Sequence, residues 1–542
     1  MNRTTALLTA ALLAAPVWAQ PQLDLSGPRV DADARAVAPA AAVDPAALAP
    51  ADAAVFLRVD GLPGLHDQLK DDTLFKLTMR QLGRQPREAW LLIQAAMGMT
   101  GDELLRQYFG RTVALVVETP GDNQPGVVAT AVDAAAFDLV RIRLDLQPLM
   151  DPIGDFQKYT TGDGRTLAAF GRGWMLVTGA DHGRFLDRVL EHVQQRTPSL
   201  ADDAAFKSLV GRLPAERDLV AFARDKAKGE MHALAATQHE GVTALHYAGR
   251  SPQLTQALAR RGEAKDLSFG PLPTDAIAAM AVNLEMPEEL QRPRARAMID
   301  RLLAPDMNSA KLLAMVDSVS VMFLGETPGE RLTPNPGLRV PAAGLAIKLK
   351  GDEAEQAAAA AALDKLMNNA LLFANLATIE WQTDPIAMGA ATHGPVSYRT
   401  ADVGAVLAQR TQRPELAALR LAYGRVGAWY TLTTQDLFLQ RMIDTAGGGA
   451  ALNAPRAGDA PLLTATLDAQ AAAAHVESWL SHWRAVRPQV VDPPAGAELS
   501  PEQLMARRLA KAAEVLRGYT KLTVTARAGA DDTAEATLQL TR

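Results

Sequence analysis

Three segments of the chain alternate with a period of two. Leu345, Ile347 and Leu349 interleave with Ala346, Lys348 and Lys350. Leu522, Val524 and Ala526 interleave with Lys521, Thr523, Thr525 and Arg527, and Ala536, Leu538 and Leu540 with Glu535, Thr537, Gln539 and Thr541. Successive side chains of a strand point to opposite faces, so this alternation describes sheets with one dry face and one wet face. Strands of parallel sheets, buried on both faces, read instead as continuous apolar runs. The expected fold class is α+β, with antiparallel sheets and helices packed on one face.

A longer pattern occurs twice. Residues 167–190 read LAAFGRGWMLVTGADHGRFLDRVL and residues 421–443 read LAYGRVGAWYTLTTQDLFLQRMI. Each runs from an apolar segment through a Gly/Arg turn to a strand around Trp174 or Trp429. A polar break follows, then a helix opening on Phe-Leu-x-Arg and two apolar residues (Phe185–Leu190, Phe438–Ile443). Self-similarity of this kind points to internally duplicated strand–helix units.

The N-terminus sets the expected compartment. Arg3, the apolar run Ala6–Ala15 and Val17-Trp18-Ala19 before Gln20 have the layout of a secretory signal peptide over residues 1–19. An apolar run of that length is short of the roughly 20 residues a membrane span needs. Residues 20–48, rich in Ala, Pro and Asp, read as a disordered linker. The rest divides into a first α+β repeat over 49–200, a connecting segment over 201–265, a second repeat over 266–446 and a C-terminal α+β segment over 447–542. Within the first repeat, helices are expected over His66–Leu82 and Arg87–Met97. Thr100-Gly-Asp-Glu103 matches a capping box, and Gly162-Asp-Gly164 matches a hairpin turn. A long helix is expected over 352–377.

Composition removes several function classes. The chain has no cysteine, which excludes thiolate metal sites, cysteine nucleophiles, disulfides and a lipid anchor on a cysteine. Its formal charge is −6, and −7 once Arg3 leaves with the signal segment. A nucleic-acid binder needs a basic excess or stripe, and the Arg292–Arg301 stretch reads as a solvated helix face, so no nucleic acid is expected. Aromatic residues at 5% are too few for an extended stacking platform. The Ala-rich run 357–380 is interrupted by Asp364, Lys365, Asn368 and Asn369, so no transmembrane span is expected after signal cleavage.

The residues that could carry chemistry each have a plainer reading. His232, His239 and His246 stand seven apart, wider than the i, i+4 spacing of helical metal ligands, and read as surface histidines. Asp181-His182 could be drawn as an acid–base pair, but the second copy has Thr433-Thr434-Gln435 there, so helix N-capping is the shared property. Gly171-Arg-Gly173 leads from one strand into another and reads as a hairpin turn rather than a dinucleotide loop. His475 and His482 lie beside Trp479 and Trp483 on one helical face. Asp444-Thr-Ala-Gly447 is one residue from an aspartic-protease loop, without a partner loop. No catalytic, cofactor-binding or metal residue is assigned, and no cofactor is expected.

The segment Leu48-Ala-Pro-Ala-Asp-Ala-Ala-Val-Phe-Leu57, the block MGMTGDELLRQYFGRTVALVVE at 97–118 and the first copy of the repeated pattern resemble a family of exported bacterial proteins classed as a domain of unknown function. The resemblance covers residues 48–193 and implies a strand–helix rhythm, with no activity, cofactor or catalytic residue attached to it. The expected function is that of an exported, non-catalytic cell-envelope or secreted protein. It would be periplasmic or secreted and would act on another envelope protein or on the envelope itself. The alternatives are a binding protein for an apolar ligand or lipid, and a cysteine-independent hydrolase.

Overall fold

The computed structural model describes residues 44–69, 94, 97–119, 125–195, 197–259, 267–283, 293–303, 307–325, 342–412, 416–417, 419–456, 458–491 and 499–542. The expected signal peptide, most of the linker and nearly all of the helix expected over Arg87–Met97 lie outside these residues. The chain divides into two compact units between Leu254 and Thr255. Both are α+β, and every strand pairing within each is antiparallel. Among the described residues no helix is long and apolar enough to cross a membrane.

The first unit holds strands β1 (Val55–Asp60), β2 (Thr112–Val117), β3 (Gly126–Ala131), β4 (Gln147–Pro148), β5 (Gln157–Thr160), β6 (Thr166–Gly171), β7 (Trp174–Gly179), β8 (Leu219–Asp225), β9 (Glu230–His239) and β10 (Val242–Arg250). Its helices are α1 (Leu62–Leu69), α2 (Gly101–Tyr108), α3 (Ala134–Arg143), α4 (Gly183–Gln195) and α5 (Ala204–Val210), and α6 (Pro252–Ala259) spans the division. The pairings give the strand order 4-5-6-7-3-2-1-8-9-10. The main core lies on one face of this sheet, where Phe56, Val116, Leu176 and Phe222 meet Phe185, Leu186, Val189 and Leu190 of α4 and Phe206 of α5. A smaller cluster around Phe137 and Val140 of α3 covers Ala168 and Met175. Each buried Val, Leu or Phe there contributes about 1.5–3 kcal/mol of burial, and α4 supplies four of them.

Order starts earlier than the sequence indicates. Asp44 caps the 3-10 turn Pro45–Ala47 by accepting from the Ala46 N–H at 3.0 Å, and Ala46 and Leu48 are buried in the core. The segment 201–265, expected to connect two repeats, instead contributes β8, β9 and β10 to the first sheet. The reason is that β1 would otherwise leave one edge unpaired, and β8 fills it from Val55↔Ala223 to Val59↔Leu219.

The second unit holds β11 (Ala276–Val282), β12 (Val316–Leu324), β13 (Ala342–Leu349), β14 (Met388–His393), β15 (Val396–Ala401), β16 (Leu421–Val426), β17 (Trp429–Thr433), β18 (Pro461–Asp468), β19 (Lys521–Ala528) and β20 (Ala534–Thr541). Its helices are α7 (Pro293–Leu303), α8 (Ser309–Ala314), α9 (Glu353–Trp381), α10 (Val403–Thr411), α11 (Asp436–Ala446), α12 (Ala469–Val486), α13 (Pro488–Val491) and α14 (Pro501–Leu516). The strand order is 14-15-16-17-13-12-11-18-19-20, the order of the first unit with each number raised by ten. The segment 447–542 therefore completes the second sheet, as β8–β10 complete the first. Where β8 and β9 are joined by a tight turn, β18 and β19 enclose α12–α14. Ala346, expected on a wet face, is fully buried, because Phe438 and Met442 of α11 pack over that face of the sheet.

Candidate functional site: the long helix of the second unit

In each unit a helix follows the third strand and leads to the fourth. In the first unit it is α3, of 10 residues; in the second it is α9, of 29. Its start is set by Asp352, whose Oδ1 accepts from the backbone N–H groups of Ala354 (3.0 Å) and Glu355 (2.9 Å), while Glu355 Oε2 accepts from the Asp352 N–H at 3.0 Å. This reciprocal cap satisfies N–H groups that have no partner within the helix, and the Ala-rich run after it costs little side-chain entropy. The helix ends where Gln382 enters the left-handed region at φ 54°.

The inward face of α9 is anchored by polar contacts. Tyr430 of β17 donates its hydroxyl to Asp364 Oδ1 at 2.9 Å, and Tyr423 of β16 donates to Asn368 Oδ1 at 2.8 Å. Both tyrosines are buried, and burial pushes their hydroxyl pKa values up; the Asp364 carboxyl reinforces this in each. Burial also raises Asp364, against the lowering effect of the Tyr430 hydrogen bond. Asn375 grips the connection to β14 from both sides, donating to the Ile386 carbonyl at 3.2 Å and accepting from its N–H at 2.6 Å. Sideways, Lys365 and Asn369 donate to the carbonyls of Leu303 (3.2 Å) and Leu302 (2.9 Å) at the end of α7. The residues that interrupt the Ala-rich run thus fasten it to the sheet and to α7.

Further along α9, in the helical row that begins with Lys365 and Asn369, runs an apolar stripe. Leu372, Phe373, Leu376 and Ile379 are 55%, 61%, 61% and 75% exposed, and Trp381 is 41% exposed at the helix end. Arg410 of α10 lies over the Trp381 ring at 5.8 Å from its centroid. Four large apolar side chains exposed within two helical turns form a contiguous patch, the kind of surface that marks an interaction site, whereas apolar residues scattered singly carry no such meaning.

Groups with potential chemistry are placed elsewhere. His66, Asp67 and Asp102 bring ligand atoms within 4.8 Å of one another, but Arg106 Nη2 already lies 2.8 Å from the Asp67 carboxylate. His232, His239 and His246 lie along the β9–β10 hairpin, opposite Gly249, Val242 and Ala235. His239 lies seven residue steps along the strand from His232, about 23 Å at the usual rise, so the three do not share a ligand. His232 Nδ1 instead meets the Tyr247 hydroxyl at 2.8 Å, and burial lowers the pKa of His232 and His246.

Gly171-Arg-Gly173 is the β6–β7 hairpin turn, with Arg172 and Gly173 at φ 51° and 77°. The N-capping expected from Asp181 and from Thr433-Thr434 is not formed. A 3-10 turn capped at Gly179 without a side-chain bond precedes α4, and Gln435 begins α11 in the same way. Thr434 Oγ1 accepts instead from the Ala343 N–H at 2.9 Å, tying the segment to β13. His475 and His482 lie on α12 with Trp479 and Trp483, whose rings are 6.1 Å apart. Asp444 Oδ1 lies 2.7 Å from His393 Nε2, a link between residues too far apart in sequence for spacing to reveal. No family model matches the chain, and no curated protein or solved structure matches it either.

Proposed function

We propose that the chain is an exported, non-catalytic protein of the cell envelope or the secreted fraction that acts through contacts with protein. The observation that carries this reading is the exposed apolar stripe of α9, on a helix that Asp364, Asn368 and Asn375 fasten in place. The charged N-terminal residue Arg3, the apolar run Ala6–Ala15 and the small residues before Gln20 support export.

We further propose that the chain arose by duplication of one unit, with ten strands among the described residues of each copy. The shared strand order and the two Phe-Leu-x-Arg helices, α4 and α11, support this. In that case the conserved part of the design is scaffold, and the contact surface belongs to what the second unit added, the elongated helix.

The test is a photo-crosslinking amino acid placed at Phe373 in producing cells, with a control at exposed Lys511. A specific protein adduct at Phe373 and none at Lys511 is the expected result. No adduct above the control would remove the reading.

A further inference from the structure

Resting on that reading of α9, we propose that the partner of the stripe is a second copy of the same chain, paired helix to helix in antiparallel fashion. Leu372, Leu376 and Ile379 follow the i, i+4, i+7 spacing of a coiled-coil seam. The spacing is nearly symmetric about Leu376. A two-fold axis through that residue sets Leu372 of one copy beside Ile379 of the other, with Phe373 and Glu380 on the rim. A surface whose own pattern is repeated by reversal is what an isologous interface requires.

The area suits a weak, reversible dimer. At 55–75% exposure, the four side chains Leu372, Phe373, Leu376 and Ile379 offer roughly 400–500 Å² per copy, taking roughly 150–250 Å² for a large apolar residue. Two copies then bury roughly 900 Å², in the range of weak, transient interfaces. Charge argues against a lipid surface as the occupant. Helices that lie in anionic membrane surfaces carry Lys and Arg on the polar face. Residues 353–381 carry Glu353, Glu355, Asp364 and Glu380 against Lys365 alone.

The experiment is sedimentation velocity of the full chain over a range of micromolar concentrations, beside the Leu376→Asp variant. The wild type is expected to pass reversibly from monomer to dimer. Leu376→Asp should raise the dimer dissociation constant at least tenfold, since it places a carboxylate in the centre of an apolar seam. Because Leu376 is exposed, its far-UV circular dichroism and Tm should match the wild type. A second variant, Ile142→Asp on exposed Ile142 of α3, should dimerise as the wild type does. A wild type that stays monomeric, or a Leu376→Asp chain that dimerises equally, overturns the proposal. In cells, an adduct of the chain with itself at Phe373 supports it. An adduct with a different protein alone overturns self-association while leaving the proposed function standing, and no adduct at all overturns both.

Discussion

Arg441 of α11 reaches back to Asp275, the residue before β11, with Nη2 2.6 Å from the carboxylate. Arg188, at the matching place in α4, meets Asp52 just ahead of β1 at 2.8 Å and also Glu118 at 2.6 Å. In both units, then, the helix after the seventh strand is fastened to the entry of the first. The Arg of the Phe-Leu-x-Arg pattern is the residue that does it, and the flanking Phe185, Leu186, Phe438 and Leu439 are buried beneath.

The Arg441–Asp275 contact is partly exposed, so its contribution is expected to be small. A double-mutant cycle with Arg441→Ala and Asp275→Ala should give a coupling energy of about 0.5–1 kcal/mol in urea unfolding, falling with added salt. A coupling indistinguishable from zero at low salt would show the pairing to be incidental to stability.

Gly171 stands where the second unit has Val426, directly across the hairpin from Trp174 as Val426 is from Trp429. A Cβ at Gly171 would overlap the carbonyl oxygen of Asp155, a backbone group with little freedom to move. Gly171→Val is therefore expected to cost about 1–3 kcal/mol and to lower the Tm in a thermal melt. An unchanged melt would mean that the loop around Asp155 yields freely.

Asp364 has its pKa raised by burial in the native state, so native protein holds that proton more tightly than unfolded protein does. The stability it contributes is full below the unfolded value, near 3.9, and is lost as pH rises through the higher native value. Asp364→Asn, which keeps an oxygen for the Tyr430 hydroxyl, should be at least as stable as the wild type at pH 7. The difference should close as pH falls to about 4. Urea unfolding between pH 4 and pH 8 measures this, and a variant that is less stable at pH 7 contradicts it.

His192 of α4 behaves in the opposite sense. It is buried, its Nδ1 lies 2.6 Å from Thr197 Oγ1, and burial lowers its pKa. Its contribution is full above the unfolded value, about 6.5, and is lost as pH falls towards the lower native value. Acidification from pH 7 to pH 5 should therefore weaken the wild type more than His192→Gln, as read by the urea midpoint. Equal slopes for the two chains would rule out His192 as the group responsible.

The fold class was legible because its determinants are local. The strand period along β13, β19 and β20, the capping box at Thr100 and Glu103, and the turn at Gly162-Asp-Gly164 all act within a few residues; the strands, the cap and the turn are present, while both faces of β13 are covered. The grouping of β8–β10 and β18–β20 with the earlier strands was not legible. It depends on which strand fills an open sheet edge, a relation that spans more than a hundred residues of chain. The α9 stripe left a trace that membrane hydropathy alone passes over. Leu363, Met367 and Leu371 repeat on one side while Leu372, Leu376 and Ile379 repeat on another, so one helix carries two apolar faces. Only the structure shows that the first faces the sheet and the second faces outward.

The central place of the first strand in each sheet bears on the order in which the molecule can assemble. β1 is made early but finds its second neighbour, β8, only at residues 219–225, and β11 waits likewise for β18 at 461–468. Until then an open hydrogen-bonding edge beside Phe56 or Met280 stays available to any passing strand. Pairings this distant in sequence make folding slow and late. A ribosome-bound chain would therefore hold half-built sheets, and a holding chaperone would have its greatest effect in that interval.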